Sequence, residues 1–138
     1  MLTYSSLFLP VLSYIGMNKN ILIIEDEADI REAMAEAVQD AGFNVTTANN
    51  GAIGLSMALE QKPDLILLDI IMPVMDGHET LKKLREDEWG RNAKVIVLTA
   101  MDDVINIASA HEGAIADYII KAHSSLDDIV KKVRLELV

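Results

Sequence analysis

The chain has 138 residues, 51% of them hydrophobic and only 4% aromatic, with 12 Lys+Arg against 22 Asp+Glu and a formal charge of −10. That length fits one domain with a sizeable core, and the acidic balance argues against a nucleic-acid groove, which needs clustered positive charge. The absence of cysteine excludes disulfides, thiolate catalysis and cysteine-ligated metal sites, and is compatible with a cytoplasmic protein. The same charge would suit a partner with a basic patch, or a divalent cation.

Residues 1–17 form an apolar N-terminal extension, and the first charged side chain is Lys19. Its core, LFLPVLSYI over residues 7–15, is too short to span a bilayer and is broken by Pro10. It also lacks the basic n-region of a signal peptide. It reads as a loose extension or as a leader from a mis-assigned start, with Met17 a natural alternative start.

From Lys19 the pattern becomes regular. Residues 21–24 predict a short apolar strand ending in Glu25, Asp26 and Glu27. Asp29 is expected to start a helix whose inner face holds Ile30, Met34, Ala37 or Val38, and Ala41, with Gly42 stopping it. Residues 43–48 are mixed in polarity, as an edge strand would be, and Asn49 or Asn50 can cap a helix reaching Glu60. Pro63 punctuates. Residues 64–69 then form an apolar run ending in Asp69, the pattern of a strand buried on both faces. Met72, Pro73, Asp76 and Gly77 follow as a turn signature.

A helix is expected over about 77–86, then a solvent-facing loop over 87–92 that includes Trp89 and Gly90. Residues 94–99 read as a buried strand ending in Thr99. A helix starts at Asp102 or Asp103 and reaches Glu112, with Gly113 ending it. Residues 117–120 form a last strand ending in Lys121. Ser124 or Ser125 caps a final helix carrying Leu126, Ile129, Val130, Val133 and Leu137 at helical spacing. Alternating strands and helices imply right-handed βαβ units, hence an α/β fold with a doubly wound parallel sheet covered on both faces.

Ligands in such sheets bind beyond the carboxyl ends of the strands, where Glu25, Asp26, Asp69, Thr99 and Lys121 all fall. Two carboxylates 4 Å apart repel by roughly 4 kcal/mol at an effective dielectric of about 20, so the cluster needs a cation. Oxygen donors without His or Cys favour a hard ion, and Mg²⁺ is the economical choice. A metal, a lysine and a hydroxyl around one carboxylate suit phosphoryl transfer, with the aspartate as nucleophile. Asp69 is the first candidate, since it ends the most buried strand.

The acidic pair after the first strand, D-x-x-M-P-x-M-D-G from Asp69, L-T-A ending at Ala100 and D-Y-x-x-K ending at Lys121 occur in that order. In this combination the chain, over residues 18–138, resembles the receiver domain of bacterial two-component response regulators. The resemblance implies the chemotaxis-regulator-like (flavodoxin-like) fold, with strand order 2-1-3-4-5 and five helices. It implies that Asp69 takes a phosphoryl group from a sensor histidine kinase or a phosphotransfer protein. Asp26, Asp69 and the carbonyl of Ile71 would bind Mg²⁺, with Glu25 helping directly or through water. Glu25 stands where the family more often has Asp.

Thr99, the Ala100 N–H and Lys121 would contact the phosphoryl group. Tyr118 would be the aromatic switch, and the face of the fourth helix, fifth strand and fifth helix would signal. Self-phosphorylation from small donors and slow autodephosphorylation are expected, with no external substrate. Ala122 replaces the proline usual after the lysine. A cis bond before a non-proline residue costs about 2.5–4 kcal/mol, so a trans bond with a shifted loop is expected.

The chain reads as a single-domain regulator acting through a protein partner, as a monomer or a weak phosphorylation-dependent dimer, with no direct nucleic-acid or membrane contact. Alternatives are a receiver fragment of a larger transcription factor or hybrid kinase, or a phosphorylation-independent interaction module.

Overall fold

The computed structural model describes residues 19–100 and 115–137. The N-terminal extension and the helix expected from Asp102 or Asp103 to Glu112, with Gly113, lie outside the described residues. Within them, the strands are β1 (Asn20–Ile24), β2 (Asn44–Ala48), β3 (Leu65–Asp69), β4 (Val95–Thr99) and β5 (Asp117–Ile120). The α-helices are α1 (Ala28–Asp40), α2 (Gly51–Gln61), α3 (Gly77–Glu86) and α4 (Leu126–Leu137), with 3-10 turns at Gly90–Asn92 and Lys121–His123.

All strand pairs are parallel, and the order is β2-β1-β3-β4-β5. The period-2 alternation of a strand sorts the sheet's side chains into two cores. Leu22, Ile24, Ile66, Leu68, Val95 and Val97 pack with Leu81 and Leu84 of α3 and Ala58 of α2. Ile21, Ile23, Leu65, Leu67, Ile96, Leu98 and Ile119 pack with Met34 and Val38 of α1 and Ile129 and Val133 of α4. Each fully buried aliphatic side chain contributes about 1.5–3 kcal/mol. β3 and β4 are buried along their whole length, which is why they read as unbroken apolar runs. β2 lies at the edge, and only Ala48 in it is buried.

The helix ends follow local chemistry. Asn50 Oδ1 accepts from the Ile53 N–H at 2.8 Å, and Asp76 Oδ1 from the Glu79 N–H at 2.9 Å. The Asp128 N–H donates to Ser125 Oγ at 3.1 Å while Asp128 Oδ2 accepts from the Ser125 N–H at 2.9 Å, a reciprocal box at the head of α4. After α1, Gly42 adopts φ 102°, a left-handed conformation that suits glycine.

Two local expectations are corrected. Asp29 does not start the first helix: Glu27 occupies the cap position without a side-chain cap bond, and Asp29 lies in the first turn, where its charge complements the helix dipole. The 87–92 loop is not simply solvent-facing. Trp89 packs against the core and Gly90 is buried, because the Arg85 guanidinium draws the carbonyls of Gly90 and Ala93 inward, each at 2.7 Å. Among the described residues no helix is long and apolar enough to cross a membrane.

Candidate functional site at the carboxyl edge of the sheet

Strand register sets this site. Ile24 pairs with Leu68, so Glu25, the next residue of the chain, comes level with Asp69. Asp69 pairs with Leu98, and Thr99 with Ile120, which leaves Thr99 and Lys121 at the same edge. By the alternation along each strand, Glu25 and Asp69 continue the rows of Ile23 and Leu67, and Lys121 continues that of Ile119. Thr99 continues the row of Val95 and Val97, on the side of α2 and α3.

The result is a buried acidic cluster. Glu25 is 0% and Asp69 3% exposed, and Glu25, Asp26 and Asp69 offer ligand oxygens within 4.8 Å of one another. Lys121 Nζ closes it, donating to Glu25 Oε1 at 3.1 Å and Oε2 at 3.0 Å and facing Asp69 Oδ2 at 3.4 Å. The lysine therefore engages Glu25 more closely than Asp69. The Ile71 N–H donates to Asp69 Oδ1 at 3.3 Å. Ile71 and Val74 are exposed on the rim, and Val74 holds φ 71°, a strained value for a β-branched residue.

The electrostatics follow from burial and crowding. Asp69 is raised from its ordinary 3.8 to about 7, first by burial and then by the charge of Glu25, with Lys121 opposing. For Lys121 burial works to lower the pKa, but the hydrogen bond to Glu25 and the charges of Asp69 and Glu25 outweigh it, and the ammonium is held above its usual range. Two ionised carboxylates at 4.8 Å repel by about 3 kcal/mol at an effective dielectric of about 20. One lysine cannot neutralise three carboxylates.

The other expected residues are placed as follows. Thr99 is buried, and its hydroxyl donates to the carbonyl of the half-buried Ala100 at 3.0 Å. Tyr118 is 42% exposed, beside an Asp117–Lys132 ion pair of 2.6 Å. No peptide bond among the described residues is cis, so Lys121–Ala122 is trans, and Lys121 still reaches the cluster. One contact had no sequence signal. Arg31 Nη1, from α1, donates to the carbonyls of Glu25 at 3.0 Å and Asp26 at 3.3 Å. It is a partly buried polar residue beside the apolar face of the helix, where periodicity carries no information about its partners.

The response regulator receiver domain family matches residues 21–134. This chain belongs to that family. The receiver is 38% identical over 108 residues to the phosphate regulon transcriptional regulatory protein PhoB of Pseudomonas aeruginosa, covering 78% of this chain and 47% of PhoB. It is 36% identical over 102 residues to the transcriptional regulatory protein AfsQ1 of Streptomyces coelicolor, covering 74% of this chain and 44% of AfsQ1. The receiver thus spans about half the length of these relatives. The crystal structure of the response regulator TrrA from Thermotoga maritima, in complex with Mg²⁺-BeF, superposes with a TM-score of 0.76. TrrA is 32% identical, and the match covers 86% of this chain and 99% of TrrA.

The donor set fits a hard divalent cation. All three side chains offer carboxylate oxygen, they come from two chain segments, and their mutual repulsion exceeds what Lys121 alone compensates.

Proposed function

We propose that this receiver domain is the phosphoacceptor switch of a two-component phosphorelay, with Asp69 as the acceptor. The observation that carries the reading is the convergence of Glu25, Asp26 and Asp69 within 4.8 Å under a lysine that faces two of them. In this reading Asp26, Asp69 and the Ile71 carbonyl hold Mg²⁺, with Glu25 as a further or water-linked ligand. When bound, the ion would neutralise phosphoryl oxygens and lower the barrier to their approach.

An Asp69 carboxylate oxygen attacks the phosphorus of a phosphohistidine. The new O–P bond forms as the N–P bond breaks, and the histidine nitrogen leaves with the electron pair. Lys121 moves its charge toward the incoming phosphoryl oxygens, and the Thr99 hydroxyl and Ala100 N–H supply hydrogen bonds to them. For the hydroxyl this requires leaving its present acceptor, the Ala100 carbonyl, which makes Thr99 a natural two-state element. Tyr118, at the surface, would follow it inward. That change would remodel the face made with β5 and α4.

The partners in this reading are a sensor histidine kinase or phosphotransfer protein in the cytoplasm, and a downstream protein. A second reading is favoured by the relatives' lengths. The chain covers only 44% and 47% of two transcriptional regulators, so it would be the receiver part of a longer regulator with an output domain.

The test is incubation with Mg²⁺ and acetyl phosphate followed by intact-mass measurement. A single phosphate adduct is expected, strongly reduced by chelation of the metal. An unmodified protein under conditions that label another receiver would overturn the reading.

A further inference from the structure

We infer that Arg31 is a positioning residue of the acidic site, holding the 25–26 turn so that the carboxylates of Glu25 and Asp26 converge on Asp69 and can accept a divalent cation. This rests on the metal-assisted reading above. Arg31 lies in the first turns of α1, and its backbone N–H donates to the Glu27 carbonyl at 2.9 Å. Its Nη1 donates to two successive carbonyls, Glu25 at 3.0 Å and Asp26 at 3.3 Å. From the other side, the Glu25 N–H donates to the Ala48 carbonyl of β2 at 3.1 Å. The peptide that carries the acidic pair is therefore gripped by the sheet and by the helix at once.

The choice of acceptor matters. Lys121 occupies both carboxylate oxygens of Glu25, so it competes with any metal for them. Arg31 brings positive charge to the same turn but donates to backbone carbonyls, so it does not itself compete with a metal for the carboxylate oxygens. A guanidinium suits this task because it is permanently charged and its donors are fixed in a plane. A lysine offers a rotating point charge on a flexible stem and would hold two carbonyls less well. Residues that orient metal ligands in this way typically change metal affinity by 10–100-fold when removed.

The test uses the whole chain as wild type, Arg31→Met and Arg31→Lys. Calorimetric titration gives the Mg²⁺ dissociation constant, thermal unfolding without metal reports the fold, and acetyl phosphate labelling is followed against Mg²⁺ concentration. The methionine variant is expected to weaken Mg²⁺ binding by about tenfold, and the lysine variant by about twofold to threefold. Labelling of Arg31→Met should return to the wild-type rate once Mg²⁺ saturates, since the nucleophile is untouched.

Wild-type Mg²⁺ affinity in both variants would overturn the inference, whatever their melting temperatures. Slow labelling that excess Mg²⁺ does not restore would also overturn it. A wild type that binds no Mg²⁺ would bring down the metal-assisted reading and this inference with it. If Arg31→Met fails to fold, the lysine variant decides.

Discussion

At one end of the sheet Arg85 donates to the carbonyls of Gly90 and Ala93, both at 2.7 Å; at the other, Lys121 faces Glu25 at 3.0 Å and Asp69 at 3.4 Å. Both are partly buried cations closing a sheet edge, yet their acceptors differ. Arg85 meets neutral carbonyls, and burial lowers its pKa. Its work is to shape a loop. Lys121 meets two buried carboxylates with a third nearby, and burial, then the charge of Glu25, raises Asp69 to about 7. That edge is left short of cations, which suits a site meant to receive one.

The sharpest break in this comparison is Asp69→Asn. It should abolish the acetyl phosphate adduct in intact-mass measurement while circular dichroism keeps the native signature. Arg85→Met should do the reverse. Orphaned loop carbonyls are expected to cost about 2–4 kcal/mol in urea unfolding, with the Mg²⁺ constant unchanged.

A pH series sharpens the contrast further. Asp69 is more easily protonated in the fold than in the unfolded chain, where it keeps its ordinary 3.8. The stability this confers is present below pH 4 and is lost as pH rises toward 7. Metal-free Asp69→Asn should therefore exceed wild type by about 1–3 kcal/mol at pH 8, and the gap should close toward pH 4. Mg²⁺ at tenfold its dissociation constant should return about 1.4 kcal/mol to the wild type at pH 8, measured by thermal unfolding, and almost nothing to Asp69→Asn. At the small end, the Lys83–Glu79 pair spans 3.6 Å with side chains 46% and 51% exposed. Lys83→Ala should change stability by less than about 0.5 kcal/mol, since water already screens that charge.

Much of this was legible beforehand. β1, β3 and β4 announce themselves because strands buried on both faces need apolar residues at successive positions, and β2 reads as an edge because it does not. Asn50, Asp76 and Ser125 mark helix starts because their side chains bond amides only three residues away. Asp29 misled for the same local reason: it is a good capping residue two positions too late, and no side-chain cap bond forms at Glu27. Trp89 misled because the loop composition is polar, while the guanidinium that folds it inward belongs to the preceding helix.

The sequence by itself determined the doubly wound sheet and which residues end its strands, because burial period and turn chemistry act over a few residues. It brought Glu25, Asp26, Asp69, Thr99 and Lys121 to one edge through the parallel topology alone. Only the tertiary structure decided how they share their charges. Lys121 reaches Glu25 across 96 residues of chain and sits closer to it than to Asp69, Thr99 turns its hydroxyl to Ala100, and Arg31 takes the carbonyls of the acidic turn. The first joins segments remote in sequence, and the other two join near neighbours; all three depend on side-chain geometry that register and packing set and no local pattern encodes.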